Sequence, residues 1–208
     1  MSLIDVFLSA FIALFVIADP IGTASIFAVL TRTKSQALSF KIALKATTIA
    51  VCILILFGFV GAWLLGMLGI TLPAFRIAGG LLLFVTAFRM IVGFHDPDQV
   101  ESEKSKYGKD DDIAVFPLAI PLLSGPGCMT AVLLHMTAEP GEWQAKAAVV
   151  TAILCVQLIA FLVMVFSQRM IKAVGETGGS LLARIMGILL AALSVQFVAD
   201  GIKQLFFA

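Results

Sequence analysis

Long apolar stretches recur along the chain and are separated by shorter polar segments. Each stretch holds about 20 residues or more, the length at which an apolar helix crosses the core of a bilayer. The six stretches are Leu3–Leu30, Phe40–Gly66, Leu72–Phe94, Ile113–Thr137, Lys146–Ser167 and Leu181–Phe207. The pattern predicts an all-α membrane protein with six transmembrane helices.

The second half of the chain resembles the first. The run RIAGGLL, which begins at Arg76, returns as RIMGILL from Arg184. A proline–glycine interruption breaks an earlier apolar stretch in each half, as DPIG from Asp19 and as SGPG from Ser124. Each half would contain three spans, and because this number is odd, the second half would have the opposite orientation in the membrane. Inverted repeats with broken helices recur in secondary transporters. We therefore predict two inverted three-helix repeats with broken first and fourth helices. The predicted division is residues 1–94, a charged cytoplasmic linker at 95–112, and residues 113–208.

Composition and charge support a membrane protein and orient it. The chain is 61% hydrophobic and 13% charged, whereas soluble domains are about half apolar and about a quarter charged. This excludes one large soluble domain. Eleven of the 14 Lys and Arg residues fall in the first, third and fifth loops, and loops rich in these residues face the cytoplasm. We expect a multi-pass membrane protein with both termini outside the cytoplasm.

The two interruptions contain the candidate chemistry. Asp19 before Pro20 has the form of a helix N-cap followed by the first helical residue, and Ser124 can start a helix at Pro126 in the same way. Two helix N-termini would then approach each other near mid-depth, where they favour an anionic group such as a carboxylate. Asp19, an acid near mid-span, can pair with an amino group or take up a coupling proton. The candidate substrate-binding residues are Asp19, Pro20, Gly22, Thr23, Ser25, Ser124, Gly125, Pro126, Gly127 and Thr130. In the alternative interpretation, the interruptions only help the helices to pack.

The repeated arginine-led runs are better explained by packing. Small residues place Gly79 with Thr86 on one helix face, and Gly187 with Ser194 on another, where helices can approach closely. Arg76 and Arg184 stand at the starts of spans and are expected to reach the membrane interface. Their equivalent positions also permit a gating pair. The residues assigned to packing or gating are Arg76, Gly79, Arg184, Gly187, Gln196 and Asp200.

The remaining polar residues and cysteines exclude several other functions. Gln157 and Gln196 lie within spans and either bond another helix or line the transport path. Cys52, Cys128 and Cys155 are single residues in apolar runs, without the spacing typical of thiol exchange or metal binding. With no metal ligand set and no nucleophile–base pair, we expect no enzyme activity, cofactor, metal or nucleic-acid partner.

Together these elements resemble the MarC family. The resemblance rests on DPIG from Asp19, on PLAIPL from Pro117, on GPG from Gly125, on the two arginine-led runs and on the closing DGI from Asp200. It implies a six-span inner-membrane protein of the neutral amino acid transporter group, distantly similar to LysE-type exporters. It also implies a small neutral amino acid such as glycine or alanine as the substrate. Thr23 and Ser25 depart from the family pattern, which commonly has Asn and Pro at these positions, and this difference bears on substrate preference.

The sequence therefore predicts a secondary transporter of a small zwitterionic solute, held near mid-depth between the first and fourth spans. The alternative is a membrane scaffold or lipid-handling protein whose broken helices only shape the bundle. The lipid bilayer and the amino acid are the expected partners. The direction of transport, the coupling ion (protons or another) and the formation of a homo-oligomer are left open.

Overall fold

A computed structural model describes residues 2–92, 113–138 and 143–206, which form helices joined by short turns and contain no β-strand. The helices are α1 (Leu3–Ala18), α2 (Pro20–Leu30), α3 (Gln36–Met67), α4 (Leu72–Val92), a π-helical segment (Ala114–Leu123), α5 (Pro126–Ala138) and α6 (Trp143–Phe206). The predicted linker at 95–112 lies outside the described residues. The all-α class is confirmed.

Five helical stretches within the described residues are long and apolar enough to cross a membrane. They are Leu3–Leu30, which contains the break between α1 and α2, Gln36–Met67, Leu72–Val92, Trp143–Ser167 and Arg184–Phe206. These match five of the six predicted stretches. The other, Ile113–Thr137, is divided into the 10-residue π-helical segment and the 13-residue α5. Each part is shorter than the roughly 20 residues that a single span requires.

The last two apolar stretches lie in one helix. The sequence predicted a loop between them, but the backbone is helical from Trp143 to Phe206. The basic residues assigned to that loop are Arg169, Lys172 and Arg184. Both apolar stretches nevertheless contribute to the same part of the interior, Val149 from the first and Leu190 from the second.

Two apolar clusters form the interior, and each broken stretch contributes to both. The first cluster contains Ile17 of α1 and Cys128 of α5. The second contains Phe27 of α2 and Leu118 of the π-helical segment. Because α1 packs against α5 and α2 packs against the π-helical segment, the two broken stretches run antiparallel. Their interruptions therefore lie at the same level, between the two clusters.

Helix α4 packs against the last part of α6 through glycines. A Cβ built at Gly80 would lie 2.9 Å from the Ser194 carbonyl oxygen, and one at Gly187 would lie 3.2 Å from that of Ala87. Such close approach is typical of small residues in membrane helices. Thr86, which the sequence placed on the same packing face as Gly79, is exposed instead. The buried face of α4 consists of Gly79, Gly80, Leu83, Ala87 and Met90.

Large apolar side chains cover the outside of the bundle. Leu56, Trp63, Phe88 and Leu158 are among those that are exposed. A soluble monomer rarely exposes so much contiguous apolar surface. The lipid chains of the membrane therefore provide the environment that this surface requires.

Candidate binding site

The first interruption is built around Asp19. Its backbone adopts the left-handed region, with a φ of 39°, and its carboxylate accepts a hydrogen bond of 3.1 Å from the Gly22 N–H. Pro20 takes the first position of α2, where an N–H is not needed. A Cβ at Gly22 would overlap the Asp19 carboxylate. This buried carboxylate, with 8% of the residue exposed, thus lies at a helix N-terminus that stabilises its charge.

Two hydroxyl groups near Asp19 are bonded to the backbone. Thr23 Oγ1 donates to the Ala18 carbonyl at 3.1 Å, near the end of α1 where carbonyls lack a helical partner. Ser25 Oγ donates to the Ile21 carbonyl, also at 3.1 Å. With their protons used in this way, Thr23 and Ser25 can offer a ligand only oxygen lone pairs.

The second interruption has a different cap. The Ser124 N–H and hydroxyl both donate to the Ala119 carbonyl, at 2.9 and 2.8 Å. Ser124 therefore closes the π-helical segment and does not cap α5 as the sequence predicted. Helix α5 begins at Pro126 without an acid in the three residues before it. Its N-terminal amides keep the positive end of the helix dipole available for an anion.

Gln157 completes the second interruption from α6. Its Nε2 donates to the Leu123 carbonyl at 3.0 Å, and the residue is 2% exposed. Here α6 passes from the first apolar cluster, at Val156, to the second, at Ala160. No hydrogen-bond donor in the described ranges reaches Gln157 Oε1. From the sequence, Gln157 could either bond another helix or line the transport path. Its position within an apolar span was the only feature of the sequence that drew attention to it.

Glycines bring the neighbouring helices onto the first turn of α5. A Cβ at Gly127 would lie 3.1 Å from Ile17 Cγ2 and would overlap Leu83. A Cβ at Gly79 would lie 2.8 Å from the Cβ of Thr130, whose hydroxyl donates to the Pro126 carbonyl at 2.8 Å. Helices α1 and α4 thus contact the start of α5 directly. Sequence reasoning assigned Gly79 to packing but did not connect it with Thr130.

Eight of the ten predicted binding residues lie where the chain passes from one apolar cluster to the other. Ser25 follows Ala24 of the second cluster, and Thr130 follows Cys128 of the first. Most are buried, Gly22 and Ser25 are half-buried, and Pro126 is exposed. The buried members are Asp19, Pro20, Thr23, Ser124, Gly125, Gly127 and Thr130. The arrangement places an acid, two helix breaks and several hydroxyl groups in one layer of an otherwise apolar interior.

Arg76, Gln196 and Asp200 form a second polar group, between α4 and α6. Arg76 Nη2 lies 3.2 Å from Asp200 Oδ2, and Gln196 Nε2 donates to Asp200 Oδ1 at 2.8 Å. The guanidinium also lies 5.6 Å from the centre of the Phe197 ring, within the range of a cation–π contact. Arg76 is therefore paired within a helix contact, whereas Arg184 is exposed. Their equivalent places in the repeated run do not give them equivalent environments.

Comparison with known proteins assigns the chain to a family. Residues 4–206 match the sequence model described as MarC family integral membrane protein. The chain belongs to the MarC family. The resemblance drawn from the interruptions and the arginine-led runs is thus confirmed, and the protein is an integral membrane protein.

Relatives of this MarC family protein span nearly its full length. A UPF0056 membrane protein of Aquifex aeolicus is 39% identical, with 96% of this chain and 93% of the relative aligned. UPF0056 membrane protein MJ1677 of Methanocaldococcus jannaschii is 35% identical over 95% and 96% of the two chains. A UPF0056 membrane protein of Buchnera aphidicola is 32% identical over 98% and 95%. No solved structure matches the chain.

Proposed function

We propose that this protein is a secondary transporter of a small zwitterionic solute, a neutral amino acid such as glycine or alanine. The observation that supports the proposal is the polar layer between the two apolar clusters. Both helix breaks, the Asp19 carboxylate and the Gln157 amide lie there. Ionisable and polar residues inside a membrane protein are costly to bury and mark solute or ion paths.

The proposed topology has six spans in two inverted repeats. The π-helical segment and α5 together act as the fourth span, because residues 114–138 run antiparallel to the broken stretch Leu3–Leu30. Helix α4 is the third span and the last part of α6 is the sixth. These two spans are also antiparallel. Residues 1–94 and 113–208 then form the repeats. Both termini would face the periplasm, as the distribution of Lys and Arg predicts.

The two interruptions have complementary roles in this proposal. Asp19 already occupies the N-terminus of α2, since it accepts from the Gly22 N–H. The solute carboxylate therefore binds at the amides that open α5, after Pro126. The solute ammonium group faces Asp19, whose negative charge attracts it. A zwitterion fits such a layer better than an anion, because a second carboxylate next to Asp19 would be repelled.

Alternating access follows from rocking of one repeat against the other around this layer. The ion pair between Arg76 and Asp200 joins α4 of the first repeat to α6 of the second. In this proposal the ion pair acts as a gate that closes one side of the path and opens when the repeats separate.

Counterflow in proteoliposomes tests the proposed function. Vesicles that contain the purified protein and unlabelled alanine should accumulate external labelled alanine above equilibrium, because a transporter exchanges solute across the bilayer. Protein-free vesicles loaded in the same way are the control. The absence of exchange with a panel of neutral amino acids would contradict transport of this solute class and favour the scaffold or lipid-handling alternative.

A further inference from the structure

The Gln157 amide has a hydrogen-bond partner for one of its two polar groups within the described residues, and none there for the other. The Leu123 carbonyl can only accept a hydrogen bond, so the group that lies 3.0 Å from it is the amide NH₂. This fixes the orientation of the side chain. The carbonyl oxygen Oε1 is then a buried acceptor that no donor in the described part of the chain reaches.

A buried acceptor without a partner is unfavourable, because the group has lost its hydrogen bonds to water. Nearly all such groups in folded proteins are bonded to protein, water or a ligand. Gln157 is 2% exposed and lies about halfway along the apolar stretch Trp143–Ser167. The position is therefore at the depth of both interruptions and not at a membrane surface.

We propose that Gln157 Oε1 accepts a hydrogen bond from the ammonium group of the bound solute. This inference rests on the proposed function. It makes Gln157 the residue that distinguishes an amino acid from a simple carboxylate. Leu123 lies three residues before Pro126, so the Gln157 amide is adjacent to the start of α5, where the carboxylate binds. Asp19 supplies negative charge at the same level, while Gln157 supplies a directed acceptor. A carboxylate without an amino group would leave Oε1 unpaired.

The matched solutes for a test are alanine and propionate, which share the carboxylate and the carbon chain and differ in the amino group. Their affinities are measured on the purified full-length protein from ligand-induced shifts in thermal stability. In the wild type, alanine should bind more tightly than propionate. Gln157→Met keeps the length of the side chain and removes the acceptor. The substitution also removes the Nε2 donor to the Leu123 carbonyl, which affects both solutes. Only alanine loses a hydrogen bond from a charged group, so its affinity should fall by about tenfold to a hundredfold relative to that of propionate.

Two further variants separate recognition from structure. Gln144→Met changes an exposed glutamine of the same helix and should leave both affinities unaltered. Gln157→Glu keeps an acceptor and adds negative charge, so the preference for alanine over propionate should increase. This second variant preserves the test if Gln157→Met does not fold. If Gln157 only holds the Leu123 carbonyl, both affinities will fall together in Gln157→Met, and the preference will not rise in Gln157→Glu.

The outcomes also distinguish this inference from the proposed function. Alanine exchange by the wild type with an unaltered preference in the Gln157 variants would overturn the role of Gln157 alone. A preference that depends on Gln157, found without any counterflow, would overturn transport and support the recognition role. Failure of the wild type to bind either compound would overturn the ammonium contact together with the proposed solute.

Discussion

Replacement of Gly79 by alanine should disturb the candidate site from a neighbouring helix. The new Cβ would lie 2.8 Å from Thr130 Cβ and 2.9 Å from Thr130 Cγ2, whereas carbon atoms prefer separations of about 3.5–4.0 Å. Thr130 must therefore move by roughly 1 Å to restore that separation. It is fully buried and its hydroxyl donates to the Pro126 carbonyl. Movement of Thr130 thus shifts the first turn of α5, which holds the solute carboxylate in our proposal.

The size of the effect follows from two opposing contributions. Overpacking a well-filled interior costs about 1–3 kcal/mol, whereas Gly→Ala within a helix gains about 0.5–1 kcal/mol. The middle of the two ranges leaves a net destabilisation of about 1 kcal/mol, which corresponds to a factor of about 5 in an equilibrium constant. We expect Gly79→Ala to lower the midpoint of thermal unfolding and to reduce alanine counterflow.

A matched control is available in α3. Gly66 has no heavy atom within 4 Å of a built Cβ outside its own helix segment, so Gly66→Ala should be neutral or slightly stabilising. Thr130→Ala removes two of the three atoms nearest to the new Cβ and should cost less in the Gly79→Ala background than in the wild type. Thermal unfolding and counterflow are measured for all variants. If Gly79→Ala behaves like Gly66→Ala in both assays, the proposed link between α4 and the site is refuted.

Three further predictions concern charge and topology. Asn at position 19 tolerates the left-handed backbone and caps a helix, so the Asp19→Asn variant should fold normally but lose alanine transport. Normal transport at every pH tested would mean that the charge has no role. Asp200→Asn leaves Arg76 without its ion-pair partner and should lower the unfolding midpoint, with a cost of about 1–2 kcal/mol, below that of a fully buried pair because both side chains are partly exposed. Combining Arg76→Asp with Asp200→Arg should recover part of that loss, and a charge swap no more stable than either single variant would contradict the pairing. A single cysteine at position 101 should react with an impermeant reagent only from the cytoplasmic side and one at 142 only from outside, and labelling of position 101 in intact cells would contradict the orientation.

The sequence alone determined the features that depend on hydropathy and local backbone chemistry. Apolar length predicted Gln36–Met67 and Leu72–Val92 to within a few residues, because a span must satisfy its backbone within one helix and match the bilayer. The break at Asp19 was equally predictable, since an N-cap residue followed by proline specifies a helix start through contacts only a few residues apart. The combined motifs also identified the family.

The tertiary structure decided which polar groups meet. It set Gln157 against the Leu123 carbonyl, 34 residues earlier in the chain, and paired Arg76 with Asp200 across two helices. It also used Ser124 to close the π-helical segment and left α5 without an acidic cap. These outcomes depend on the relative rotation and depth of helices distant in sequence. A hydropathy pattern fixes only that a residue lies within a span, because the energy of burying apolar surface has no direction; which atoms meet is decided by packing.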